Sequence, residues 1–90
     1  MTSPIEAAAR LEEIVRDALS RHGHLAVDVG SLASDDDLYV VGLTSHATIN
    51  VMIAVEDATG AQFPEYLLRR ATFVSIDAIA RAAAESARMS

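Results

Sequence analysis

Gly42-Leu43-Thr44-Ser45-His46 sets a hydroxyl beside an imidazole, the two groups from which a serine nucleophile is built. A hydrolase elbow needs a second glycine after the serine and a strand–turn–helix frame, and neither is expected here. Adjacent side chains on a helix also diverge by about 100°, so Ser45 and His46 do not make a dyad. His22 and His24 straddle Gly23. Histidines suit the negative end of a helix, and no third ligand stands at zinc-like spacing. Asp35-Asp36-Asp37 lacks the glycine and the distal glutamate of a calcium loop and reads as a solvated turn. With no cysteine, disulfides, thiolate metal sites and a cysteine nucleophile are excluded. All seven bases are arginine, so lysine Schiff-base chemistry is excluded too. No metal site and no self-contained enzyme is expected.

Ser45 is what remains. In the plain reading, Ser45 or Thr44 caps a helix, worth about 1 kcal/mol. In the functional one, an exposed hydroxyl at the positive end of a helix carries a phosphodiester, which that end welcomes. The charge distribution frames the choice. Residues 1–34 carry a net −2, residues 35–65 carry six acids and no base, and residues 66–90 carry a net +2. The total of −6 is the wrong sign for gripping nucleic acid.

The elements that position Ser45 follow from capping and spacing. Ser3-Pro4-Ile5-Glu6 is a capping box with proline in the first turn. Ala8, Leu11, Ile14, Val15, Ala18 and Leu19 then recur at helical spacing, predicting a helix from about Ser3 to His22 that stops at Gly23. Residues 24–43 are ambiguous. Leu25–Val29 and Leu38–Val41 alternate like strands, yet Leu25, Val27, Leu32, Leu38 and Leu43 would equally let an irregular loop pack onto helices. A second helix is predicted from Thr44 or Ser45 to about Thr59, before Gly60. It is apolar nearly all round, with Ile49, Met52 and Ile53 taken as its core stripe. Pro64 opens a short helical turn, and Thr72 is expected to cap a last helix with Phe73, Ile76, Ile79, Ala80 and Ala83 inward. The fold class expected is all-α: a small three-to-four-helix bundle in a single domain, 1–90, with a long loop between helices one and two. At 51% hydrophobic residues, its 90 residues supply a modest aliphatic core.

Leu38–Val55 is free of formal charge for eighteen residues, the lower edge of a spanning length, but its polar residues and its helix start favour a soluble reading. The N-terminus opens on a helix start instead of a basic leader, so a cytoplasmic chain is expected.

Asp37-Leu38-Tyr39-Val40-Val41-Gly42-Leu43-Thr44-Ser45 and the apolar helix running to Glu56-Asp57 resemble the attachment region of acyl carrier proteins. In that family a Gly-x-Asp-Ser-Leu segment presents the serine that receives phosphopantetheine from coenzyme A, and Ser45 is the matching position. Thr44 stands where that triplet has aspartate and His46 where it has leucine. The second helix has no acid in its first eleven residues, unlike the acid-lined helix with which fatty-acid carriers dock their enzymes. Gly42-Leu43-Thr44-Ser45, Ile53-Ala54-Val55-Glu56-Asp57, Phe63-Pro64, Leu67-Leu68-x-Arg70 and Thr72-Phe73-x-Ser75-Ile76 are similar to small stand-alone aminoacyl carrier proteins. Those are served by amino acid:carrier protein ligases that resemble seryl-tRNA synthetases.

The resemblance implies a carrier holding an aminoacyl group as a thioester on a phosphopantetheine arm at Ser45. Its partners would be a phosphopantetheinyl transferase, such a ligase or another acyl-loading enzyme, and a downstream acceptor. A carrier that must visit several partners is expected to be a monomer. Thr44, His46, Arg69 and Arg70 are candidate partner contacts. The alternatives are an acyl carrier for fatty-acid or polyketide synthesis, or a non-catalytic helical interaction module. In the module reading, the helix of Val51, Met52 and Val55 binds a partner.

Overall fold

Ser3 begins the first element by accepting a hydrogen bond from the Glu6 N–H at 3.1 Å, the forward half of the expected capping box. In the computed structural model, which describes residues 3–88, the helix that follows is α1 (Pro4–His22), ended by Gly23. α2 (Ser45–Thr59) and α3 (Ile76–Arg88) complete the main elements, with 3-10 turns at Val29–Ser31, Glu65–Leu67 and Arg70–Phe73. No strand occurs among the described residues, and α1 packs against both α2 and α3. The all-α bundle with a long first loop is the architecture expected from sequence.

Val15, Ala18 and Leu19 of α1, Ala47, Val51 and Val55 of α2, and Ile76, Ile79 and Ala83 of α3 meet in the core. Phe63 and Phe73, both in the segment between α2 and α3, stack with ring centroids 6.0 Å apart. α2 stops at Gly60, whose φ of 73° is the left-handed conformation that ends helices and that other residues adopt at a cost.

Two expectations are corrected. The core stripe of α2 is Ala47, Val51 and Val55, while Ile49 and Ile53 are 54% and 46% exposed and Met52 is only half-buried. A helix apolar on every side offers no polar face to mark the outside, so the packing of α1 and α3 chooses the inward stripe. Thr72 does not cap α3. It is buried in the Arg70–Phe73 turn, and Ser75 accepts the Ala78 N–H at 3.0 Å instead.

The segment left open between α1 and α2 is irregular and firmly held. Its two strand-like pieces meet in a hydrogen bond from Ala26 N–H to the Val41 carbonyl, 2.9 Å. Leu32, Leu38 and Leu43 are buried, Leu25 packs partly against the core, and Val27 is exposed. The backbone is tied to the start of α3 by Leu38 N–H to Val74 (2.8 Å) and Asp77 N–H to Ser34 (2.9 Å). α1 holds it from the other side. Arg16 donates to the Val29 carbonyl at 2.9 Å and pairs with Glu12 at 3.0 Å, while the Ser34 hydroxyl donates to Glu12 at 3.0 Å. Within the acidic run, Asp36 accepts from the Ala33 N–H at 2.8 Å and Asp37 from the Tyr39 N–H at 2.9 Å, so these carboxylates close turns.

Candidate functional site

The approach to Ser45 is shaped by Gly42, whose φ of 112° lies outside the ordinary range of L side chains. Leu43 then anchors the chain in the core, its N–H bonded to the Leu38 carbonyl at 3.0 Å. Thr44 is extended and is the N-cap. Its hydroxyl oxygen accepts from Ala47 N–H at 3.0 Å, and its carbonyl accepts both the N–H and the hydroxyl of Thr48. The choice between the two hydroxyls is therefore resolved. Thr44 caps the helix, while Ser45 is the exposed first residue of α2, and its hydroxyl makes no hydrogen bond among the described residues.

Ser45 opens onto a groove of about 540 Å³ between α2 and the 68–73 segment. Ile49, Met52, Leu68 and Phe73 give it an apolar lining, and Tyr39, Thr48, Arg69 and Arg70 the remainder. Arg70 lies over the Tyr39 ring, its guanidinium carbon 3.7 Å from the centroid. The Tyr39 hydroxyl donates to the Arg70 carbonyl at 3.0 Å, which ties the first loop to the last turn across the groove. Burial is the main cause that raises the Tyr39 phenol above its ordinary value, the Asp37 charge adding to it and the Arg70 cation opposing it. Arg69 and Arg70 enter no ion pair among the described residues, and no carboxylate lines the groove. In a chain of net charge −6, this is a locally cationic place.

Ser45, Arg69 and Arg70 are brought together here, while His46 is exposed beside the serine and outside the groove lining. Val51 and Val55, candidate partner contacts in the sequence, are 0% exposed and belong to the core. That removes most of the surface on which the interaction-module alternative rested. Tyr39, Thr48, Ile49, Met52 and Leu68 were missed as site residues. A signal for three of them was present: positions 45, 48, 49 and 52 follow the i, i+3, i+4, i+7 spacing that puts residues on one helix face with Ser45.

No family model matches the chain. An aminoacyl carrier protein from Agrobacterium fabrum is 40% identical over 65 residues, covering 72% of this chain and 78% of the relative. The chain belongs to the aminoacyl carrier protein family. It is a carrier, and two of the solved structures it matches contain a carrier protein. One is the carrier protein from Agrobacterium tumefaciens complexed with an engineered Bradyrhizobium japonicum glycine:[carrier protein] ligase and AMP. It has a TM-score of 0.76 and 37% identity, covering 79% of this chain and 95% of that one. A second complex of the same pair, with ATP, has a TM-score of 0.76 and 32% identity, covering 89% and 99%. A solution structure of an Agrobacterium tumefaciens protein has a TM-score of 0.67 and 35% identity, covering 82% and 89%. Among the described residues, no helix is long and apolar enough to cross a membrane.

Proposed function

We propose that the Ser45 hydroxyl receives the phosphopantetheine arm of coenzyme A, and that the carrier presents an aminoacyl group as a thioester on that arm. The observation that carries this is the division of labour between neighbouring hydroxyls: Thr44 does the capping, which leaves the exposed Ser45 oxygen free for substitution. In attachment, that oxygen would give its proton to a base of the transferase and form a new bond to phosphorus, as the pyrophosphate of coenzyme A breaks and the adenosine bisphosphate half leaves. The residues present fit such a group. The first turn of α2 would offer a phosphodiester its uncapped N–H groups, two guanidinium groups outside any ion pair among the described residues lie in the same groove, and its apolar lining suits a flexible neutral chain.

When bound, the arm supplies the thiol that carries cargo; the protein supplies position and recognition. Gly42 and Thr44 fix where Ser45 stands, and Arg69 and Arg70 supply positive charge beside it. The partners proposed are a phosphopantetheinyl transferase, an amino acid:carrier protein ligase of the glycine-activating kind bound in the solved relatives, and an acceptor enzyme. Aminoacyl cargo is favoured over fatty or polyketide cargo because α2 carries no acid before Glu56. His46, exposed next to the attachment point, is a contact for the modifying or loading enzyme.

The test is intact mass after incubation with coenzyme A and a promiscuous phosphopantetheinyl transferase. A gain of one phosphopantetheinyl group in the wild type and none in Ser45→Ala is the expected result. A folded wild type that gains nothing would overturn the proposal.

A further inference from the structure

The groove beside Ser45 has a charge character that bears on what the carried group does between enzymes. Four apolar side chains, Ile49, Met52, Leu68 and Phe73, form its lining, and the charges in it belong to Arg69 and Arg70 alone. Both cations lack an ion-pair partner among the described residues, and the carboxylates of the chain lie outside the lining. Arg70 rests on the Tyr39 ring, a contact that favours a place for its charge beside the groove. At about 540 Å³, the groove falls within the size range of small-molecule pockets. A chain tethered at Ser45 samples it at high local concentration, so weak preferences become populations.

Resting on the reading that Ser45 takes the arm, we propose that Arg69 and Arg70 make this groove sort thioesters by charge. A cargo with a free α-ammonium is repelled and stays displayed in solvent, while an uncharged acyl or N-acylated cargo settles onto Ile49, Met52, Leu68 and Phe73. A phosphodiester at Ser45 would bring one negative charge against the two guanidinium groups, which leaves a net positive charge beside the groove. Like charges near a protein surface repel with energies comparable to the gain from burying one or two methylenes, so for the smallest cargoes the charge offsets what burial contributes. The device serves an aminoacyl carrier. A displayed amine and thioester are open to the next enzyme, whereas a blocked amine changes where the group resides.

The experiment loads Ser45 through a phosphopantetheinyl transferase with hydrolysis-resistant amide analogues of the arm ending in glycyl, N-acetylglycyl or propionyl groups. Backbone amide shifts are then compared at about pH 6, where an α-amine is protonated. The N-acetylglycyl and propionyl forms are expected to shift Ile49, Met52, Leu68 and Phe73, and the glycyl form to leave them as in the unacylated arm. In the Arg69→Gln, Arg70→Gln variant the glycyl form is expected to shift them as well. A second readout uses true thioesters: hydroxylamine is expected to cleave the propionyl carrier several-fold more slowly than propionyl pantetheine, and the glycyl carrier as fast as glycyl pantetheine. Because each is compared with its own free thioester, differences in intrinsic reactivity between the acyl groups cancel, and a thermal melt of the double variant checks its fold. Loaded protein in which glycyl and propionyl forms shift the groove equally, or not at all, would overturn the sorting alone. Absence of any mass gain on loading would overturn the attachment at Ser45 and the sorting with it.

Discussion

The two faces of α2 are both apolar and have opposite fates. Ala47, Val51 and Val55 are sealed between α1 and α3, whereas Ile49 and Ile53 face outward and Met52 lies half-covered in the groove that starts at Ser45. The inward face uses small and β-branched side chains, which let the helices approach closely. The outward face spends larger side chains on a surface that stability alone would leave polar. Apolar character therefore reports two different things along one helix: on one side the core, on the other the open groove beside Ser45.

The sharpest way to break this comparison is to charge each face in turn. Val51→Asp puts a carboxylate where exposure is 0%, and we expect a loss of about 4 kcal/mol or more, enough to unfold much of a small domain. Ile53→Asp is expected to change stability by about 0.5 kcal/mol or less. Urea titration of both checks the pair, and equal losses would sink the assignment of faces. For the same reason Val55→Asp reads out folding and not partner binding.

The division between the two hydroxyls at the start of α2 gives a smaller effect. Thr44→Ala removes the cap and is expected to cost about 1 kcal/mol while Ser45 still accepts the arm. Ser45→Ala is expected to melt like the wild type while accepting nothing. Thermal melts and intact mass on both variants separate cap from attachment point. A reversed pattern would reassign them.

The smallest effect concerns the far side of the bundle. Hydrogen bonds from Arg16 and Ser34 hold the Glu12 carboxyl below its ordinary value, so its contribution to stability is present above about pH 4.5. That contribution is lost as pH falls through the lower folded value. Glu12→Gln is expected to flatten part of the fall in melting temperature below pH 4.5, with no effect on loading at Ser45. An unchanged acid profile would show that the Glu12 contacts do not couple the first loop to α1.

Much was legible beforehand because it is local. The Ser3-Pro4-x-Glu6 cap, the spacing through Leu19, the Gly60 stop and the serine at the head of an uncharged helix are written within a few residues of where they act. Ser45 as the attachment candidate came from those local facts and the family resemblance. The loop at 24–43 resisted the same reading. Its order comes from partners far along the chain: Val74 for Leu38, Asp77 for Ser34, and Arg16 for Val29.

The sequence by itself determined the helices, their order and the position of the serine, since capping, turn chemistry and periodicity act over one or two turns. Only the tertiary structure decided three further things. It chose Val51 and Val55 for the core over Ile49 and Ile53, gave the cap of α3 to Ser75, and brought Tyr39, Arg69 and Arg70 to the groove beside Ser45. The physical reason is the same in each case. Several residues within reach were chemically competent, and the choice among them was made by what the rest of the chain packed against.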